Sequence, residues 1–133
     1  MRVVLDTSTL IAAHISRAGV CAELLEDVLL HHELIVSEFI LDELRRKLRE
    51  KFRFPESDIR AVTSFLRDAG LVLVPADLPA DACRDPDDIP VLGTAVAARA
   101  ELLVTVDLDL LALVDFRGVA IVKPRGYWER AAR

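Results

Sequence analysis

Seven acids stand where a folded chain could gather them. Asp6 closes the apolar run VVL, and Asp107 closes ELLVTV, with Asp109 two residues on. Asp85, Asp87 and Asp88 crowd the loop RDPDD, and Glu43 lies within ILDELRRKL. Carboxylates brought together without counter-charge repel one another and resist ionisation. A divalent cation removes that penalty, and an all-oxygen donor set without nearby His or Cys suits Mg²⁺ or Mn²⁺. Such an ion binds phosphate oxygens, activates water and offsets charge in phosphodiester cleavage.

Taken singly, each acid has a plainer use. Asp6, and Asp87 or Asp88, stand where a helix N-cap would stand. Asp107 and Asp109 fit an ordinary turn. Glu43 precedes Lys47 by four residues, the favourable orientation for a surface ion pair. At about 100° per residue, however, Glu43 falls at the border of the apolar stripe formed by Ile40, Leu41, Leu44 and Leu48. From there it can point along a sheet edge. The metal reading rests on the constellation Asp6, Glu43, Asp88 and Asp107, with Asp85 and Asp109 in secondary positions.

The elements that must position these acids alternate between strand and helix. RVVL at 2–5 reads as a buried strand, followed by helices over 8–16 and 19–31. LIVS at 34–37 is a second strand, and Ser37 caps a helix over 38–52. A helix over 57–69 ends at Gly70, and LVLV at 71–74 is a third strand. The Pro- and Asp-rich loop VPADLPADACRDPDD leads to a helix over 89–100, which tolerates Pro90 in its first turn. Strands at 101–106 and 119–122 follow. Continuous apolar strands separated by helices predict a parallel sheet covered on both faces, an α/β fold. Open parallel sheets bind ligands beyond the carboxyl ends of their strands, where Asp6 and Asp107 both belong.

Bulk properties narrow the class. With 133 residues, 53% of them hydrophobic, the chain supports a single domain over 1–133 with a real core. No apolar run approaches the roughly 18–20 residues needed to span a bilayer. Arg2 is followed by only three apolar residues before Asp6, which is not the pattern of a signal peptide. A cytoplasmic protein without membrane attachment is expected. The two cysteines, Cys21 and Cys83, have no metal-ligand spacing and read as reduced thiols. The net charge of −5 argues against a general polyanion binder, but RRKLREKFR at 45–53 holds six basic residues and one acid. Arg45, Arg46, Lys47 and Arg49 there form a candidate RNA track or, equally, a solvated helix face.

The sequence resembles the PIN-domain nucleases, in particular the VapC-type toxins of toxin–antitoxin systems. The resemblance lies in VVLDTSTLIAA, ILDELRRKL and RDPDDIPVLGTAVAARAELLVTVDLDLL, in that order, and covers roughly residues 2–123. It implies a three-layer α/β/α sandwich with a mostly parallel sheet of about five strands. It implies Mg²⁺- or Mn²⁺-dependent cleavage of RNA, with the metal acids at Asp6, Glu43, Asp88 and Asp107 and support from Asp85. Thr105 would carry the family's hydroxyl beside the acids. Ser8 departs from the Asn that many members have two residues after the first acid, though its hydroxyl can still bond a carboxylate. The implied partners are an antitoxin protein and a second copy of the chain, with an antitoxin groove between the early helices.

Three rivals fit less well. A haloacid dehalogenase-like phosphatase needs an Asp where this chain has Ser8. A receiver domain needs a phosphoacceptor after the third strand, which here ends in Val74-Pro75-Ala76. A non-catalytic metal-binding α/β module predicts metal-dependent stability without turnover. His14, His31 and His32 lie in helices or at their ends and read as structural or surface residues. Tyr127 and Trp128 either anchor a partner or pack the last segment onto the core.

Overall fold

A computed structural model describes residues 1–131 of the chain. Strand β1 (Arg2–Leu5) lies between β2 (Glu33–Val36) and β4 (Leu102–Val104), and both pairings are parallel. Beyond them stand β3 (Leu71–Val72) on one side and β6 (Val119–Val122) on the other, and β5 (Asp115–Phe116) completes the order β3-β2-β1-β4-β6-β5. Only β5 runs antiparallel, against β6. Val3, Val4, Leu5, Ile35, Val36, Leu103 and Val104 have no exposed surface. Successive strand residues point to opposite faces, so burial of every one means that both faces of the sheet are covered.

The covering helices follow from the apolar spacing. Helix α1 (Thr7–Ile15) packs on α2 (Val20–His31), and α2 packs on β2 and on α7 (Pro124–Ala131). Helix α5 (Ile89–Ala98) lies against β1, β2 and β4. Helix α3 (Glu38–Glu50) buries Ile40, Leu41, Leu44 and Leu48 and touches α1, α4 (Glu56–Ala69) and α5. The hydroxyl of Ser37 accepts from the Ile40 amide at 3.3 Å, the cap expected from the sequence. No helix among the described residues is long and apolar enough to cross a membrane. Cys21 and Cys83 are both free thiols.

Three details differ from the sequence reading. Gly70 does end α4, but with φ −101°, not in the left-handed form. It is needed for space, since a Cβ would lie 2.9 Å from the Leu66 carbonyl oxygen and 3.2 Å from that of Leu34. Strands β3 and β4 are shorter than their apolar runs, because pairing stops before the runs do. The stretch after Asp107 is ordered: it forms the short helix α6 (Leu108–Leu111), then a hairpin joining β5 to β6. Arg117 and Gly118, at φ 49° and 87°, make its two-residue turn, the primed type whose twist matches that of the strands.

Candidate active site

The sheet register brings the site together. Leu5 pairs with Val104, and the Asp6 amide donates to the Val104 carbonyl at 3.1 Å. The next side chains beyond the two strands, Asp6 and Thr105, therefore meet. From β1 the chain builds outward to β2 and β3 on one side and to β4 and β6 on the other. The β1/β4 crevice is thus a topological switch point, where open α/β sheets bind their ligands.

Asp6 is buried, and both of its oxygens are engaged. Oδ1 accepts from the Thr9 amide at 2.9 Å, so Asp6 does cap α1. Oδ2 accepts from the buried Thr105 hydroxyl, and the exposed Ser8 hydroxyl lies 3.1 and 3.2 Å from the two oxygens. Thr105 Oγ1 also accepts from the Asp107 amide at 2.9 Å, so one hydroxyl fixes both acids. Asp107 caps α6 through the Asp109 amide at 2.8 Å. A carboxylate has about four lone-pair sites, so capping and ion binding are compatible uses of one side chain.

The other acids arrive from two further elements. Glu43, the sixth residue of α3, accepts from the Thr7 hydroxyl. It forms no ion pair with Lys47 among the described residues. The cap of α3 is tied to α5 by the Thr94 hydroxyl, which donates to Ser37 Oγ at 2.8 Å. Asp85 caps a 3-10 turn over Pro86–Asp88 by accepting from the Asp87 amide at 3.0 Å, and that turn runs directly into α5. The preceding loop crosses α5 at Gly93, where a Cβ would lie 2.6 Å from the Ala76 carbonyl oxygen.

These elements enclose a cavity of about 130 Å³. Asp6, Glu43, Asp85, Asp87, Asp88 and Asp107 line it, together with Thr7, Ser8, Val91, Arg46 and Lys47. Six carboxylates thus face two cations. Asp88 Oδ2 is buried without a hydrogen-bond partner among the described residues. Burial, first of all, and then the Asp107, Asp85 and Asp6 carboxylates push the Asp88 carboxyl up to about 7. Asp85, Asp88 and Asp109 each offer an oxygen within 4.8 Å of the others, a spacing that one cation can bridge. Asp109 joins this trio without lining the cavity. Hard oxygen donors, excess negative charge and an orphaned buried carboxylate oxygen all fit Mg²⁺ or Mn²⁺.

The basic segment divides. Arg45 pairs with Asp42, and Arg49 forks onto Glu56 at 2.5 and 3.1 Å. Arg46 and Lys47 reach the cavity, Arg46 while lying 3.8 Å from Glu50. No histidine does: His14 Nδ1 lies 2.8 Å from the Leu10 carbonyl oxygen, and His31 is 3.8 Å from Asp27. Tyr127 packs the last helix inward, donating to Asp27 at 2.5 Å and meeting the Trp128 and His32 rings edge-on. Thr7 and Asp87 are lining residues that the sequence reading did not assign to the site. For Thr7, the only sequence signal is the hydroxyl run after Asp6.

The PIN domain family model matches residues 2–109. Two solved structures share the fold. VapBC2 from Rickettsia felis, bound to a DNA fragment from their promoter, matches with a TM-score of 0.63 and 14% identity, covering 91% of this chain and 97% of that one. VapBC-1 from nontypeable Haemophilus influenzae matches with a TM-score of 0.65 and 19% identity, covering 94% and 99%. A comparison with curated proteins gives no match. The family model takes in the first strand with its Asp, the acid-bearing helix α3, the RDPDD loop and the Asp107 turn, and on that match the chain belongs to the PIN domain family.

Proposed function

We propose that this protein is a divalent-metal-dependent endoribonuclease, the toxin of a toxin–antitoxin pair acting in the cytoplasm. The observation that carries the reading is the six-acid cavity at the switch point, with a buried Asp88 oxygen that has no partner among the described residues. Members of the PIN domain family are nucleases, which gives such a cavity its chemistry.

Asp6, Glu43, Asp88 and Asp107 would hold the ion, with Asp85 and Asp109 closing on it from the Asp88 side. When bound, Mg²⁺ or Mn²⁺ supplies Lewis-acid charge at the phosphate and lowers the pKa of water. The protein supplies the rest. Thr105 holds Asp6 and Asp107 in one fixed relation, and Thr7 orients Glu43. Ser8 is the adjustable contact, since its exposed hydroxyl can turn aside and free a lone pair on Asp6. Arg46 and Lys47 offset the negative field of the acids where an RNA backbone would approach.

The antitoxin assignment draws on the two structural relatives, both VapBC assemblies, and on an apolar cleft between α1, α2 and α4. Leu30 and Phe65 line that cleft and are 69% and 48% exposed, an unusual outlay of large apolar surface.

The test is cleavage of labelled single-stranded and structured RNAs in Mg²⁺, Mn²⁺ or EDTA, alongside Asp6→Asn and Asp88→Asn. The expected result is cleavage that needs the metal and is lost in both variants. Folded variants that cut as fast as the parent would reduce Asp6 to a helix cap and remove the mechanism. Metal-dependent stability without turnover on any RNA would favour the non-catalytic module.

A further inference from the structure

Beside the acidic cavity lies a second groove of about 430 Å³, a volume in the range of small-molecule sites. The two share Ser8 and Lys47. One wall of the groove is Ile11 and Ile15 of α1, and the other is Lys51 and Phe52 at the end of α3. Ile15 is 48% exposed and Phe52 44%. The chain leaves α3 sharply: Arg53 is left-handed at φ 52°, and the Phe54 amide returns to the Leu48 carbonyl at 2.9 Å. That turn holds the Phe52 ring at the groove and not in the core. Among the described residues, the ion pairs of α3 use Arg45, Arg46 and Arg49 and leave Lys47 and Lys51 uncommitted.

Aromatic and aliphatic surface flanked by free ammonium groups, continuous with a phosphate-cleaving cavity, has the chemistry of a single-stranded nucleotide site. Bases stack on the ring, and cations take the phosphates. We propose that this groove holds the base of a nucleotide adjoining the scissile phosphate, stacked on Phe52, with Lys47 and Lys51 on its phosphates. The proposal rests on the nuclease reading and adds a substrate requirement to it. A base inside a duplex cannot enter the groove, so the strand must be unpaired at that nucleotide. Any base can stack, so the groove imposes single-strandedness more than sequence.

The experiment uses the full chain and a labelled single-stranded oligoribonucleotide. Binding is read by fluorescence anisotropy with Ca²⁺ replacing Mg²⁺, and cleavage is read in Mg²⁺. Abasic sites are placed in turn along the strand, and the variants are Phe52→Ala and Phe52→Trp. Phe52→Ala is expected to weaken binding by roughly tenfold to a hundredfold. It should raise KM with little change in kcat, and Phe52→Trp should restore both. One abasic position should penalise the parent protein but not Phe52→Ala, because the two changes remove the same contact. If the parent cuts RNA and Phe52→Ala matches it on intact and abasic strands alike, the stacking site is wrong and the nuclease reading stands. Phe52-dependent binding without cleavage by any form would keep the stacking contact but sink the nuclease reading and, with it, the placement beside a scissile phosphate. Absence of both binding and cleavage would overturn both. RNA binding unchanged in Phe52→Ala, with loss of a protein complex instead, would assign the groove to a protein and overturn the proposal.

Discussion

Asp88 offers the sharpest prediction, because its environment turns the site into a measurable stability term. In the unfolded chain an Asp ionises near 3.9, and in the fold Asp88 is held up to about 7. Between those values the metal-free folded state keeps a proton that the unfolded state has lost, so stability falls as pH rises. The gap of about three pH units corresponds to about 4 kcal/mol as an upper bound. Asp88 is only half-buried at a cavity open to solvent, and solvent screening reduces that to roughly 1–2 kcal/mol. Asp88→Asn keeps the shape and removes the charge. At pH 8 in EDTA the variant should therefore melt above the parent, by about 3–6 °C per kcal/mol for a chain of this length. The advantage should shrink toward pH 4, where the folded parent keeps its proton and the unfolded chain has regained about half of its own. Adding Mg²⁺ should reverse the order, because ligand binding stabilises only the state that binds it, and the variant lacks one donor. Thermal melts of both proteins at pH 4.5, 6 and 8, with EDTA or Mg²⁺, test all three statements. A parent whose metal-free stability is flat across that range, with a variant no more stable at pH 8, would refute the reasoning.

Three other outcomes follow from particular contacts. Thr105→Val removes the one hydroxyl that donates to Asp6 and accepts from the Asp107 amide. It should cost about 1–3 kcal/mol in urea unfolding and lower RNA cleavage with little change in KM. Gly93→Val drives a side chain into the Ala76 carbonyl, so a loss of about 1–3 kcal/mol is expected in the same assay, with weaker Mg²⁺ stabilisation because the loop bearing Asp85 and Asp88 is displaced. Arg46→Ala should weaken RNA binding evenly across sequences and reduce the slope of log affinity against log salt by about one, read from titrations at several salt concentrations.

Much of the frame was legible in the residues. Every parallel strand is built on a short run of Val, Leu and Ile, with Ala120 added in β6, and runs of that kind have few alternatives to a buried strand. Ser37 announced the start of α3, and the stripe of Ile40, Leu41, Leu44 and Leu48 oriented that helix and put Glu43 at its edge. The hairpin of β5 and β6 was missed because strand β5 is two residues long, and its turn places a non-glycine residue, Arg117, at positive φ. The basic run looked uniform on paper. How far an arginine is drawn away from the cavity depends on neighbours such as Glu56, in the next helix.

The available chemistry was written in the residues: carboxylates at the ends of apolar strands and at a helix start, with no histidine or cysteine at metal-ligand spacing. Hydrophobic periodicity is local, so it could also place those acids at one edge of an α/β sheet. The three-dimensional packing makes neighbours of β1 and β4, nearly a hundred residues apart, and so lets Thr105 join Asp6 to Asp107. It also buries one Asp88 oxygen with no partner among the described residues, brings Thr7 and Asp87 into the cavity lining and sets Phe52 at the neighbouring groove. Strand order and the burial of a single atom are set by the sum of packing over the whole core, which no stretch of residues encodes alone.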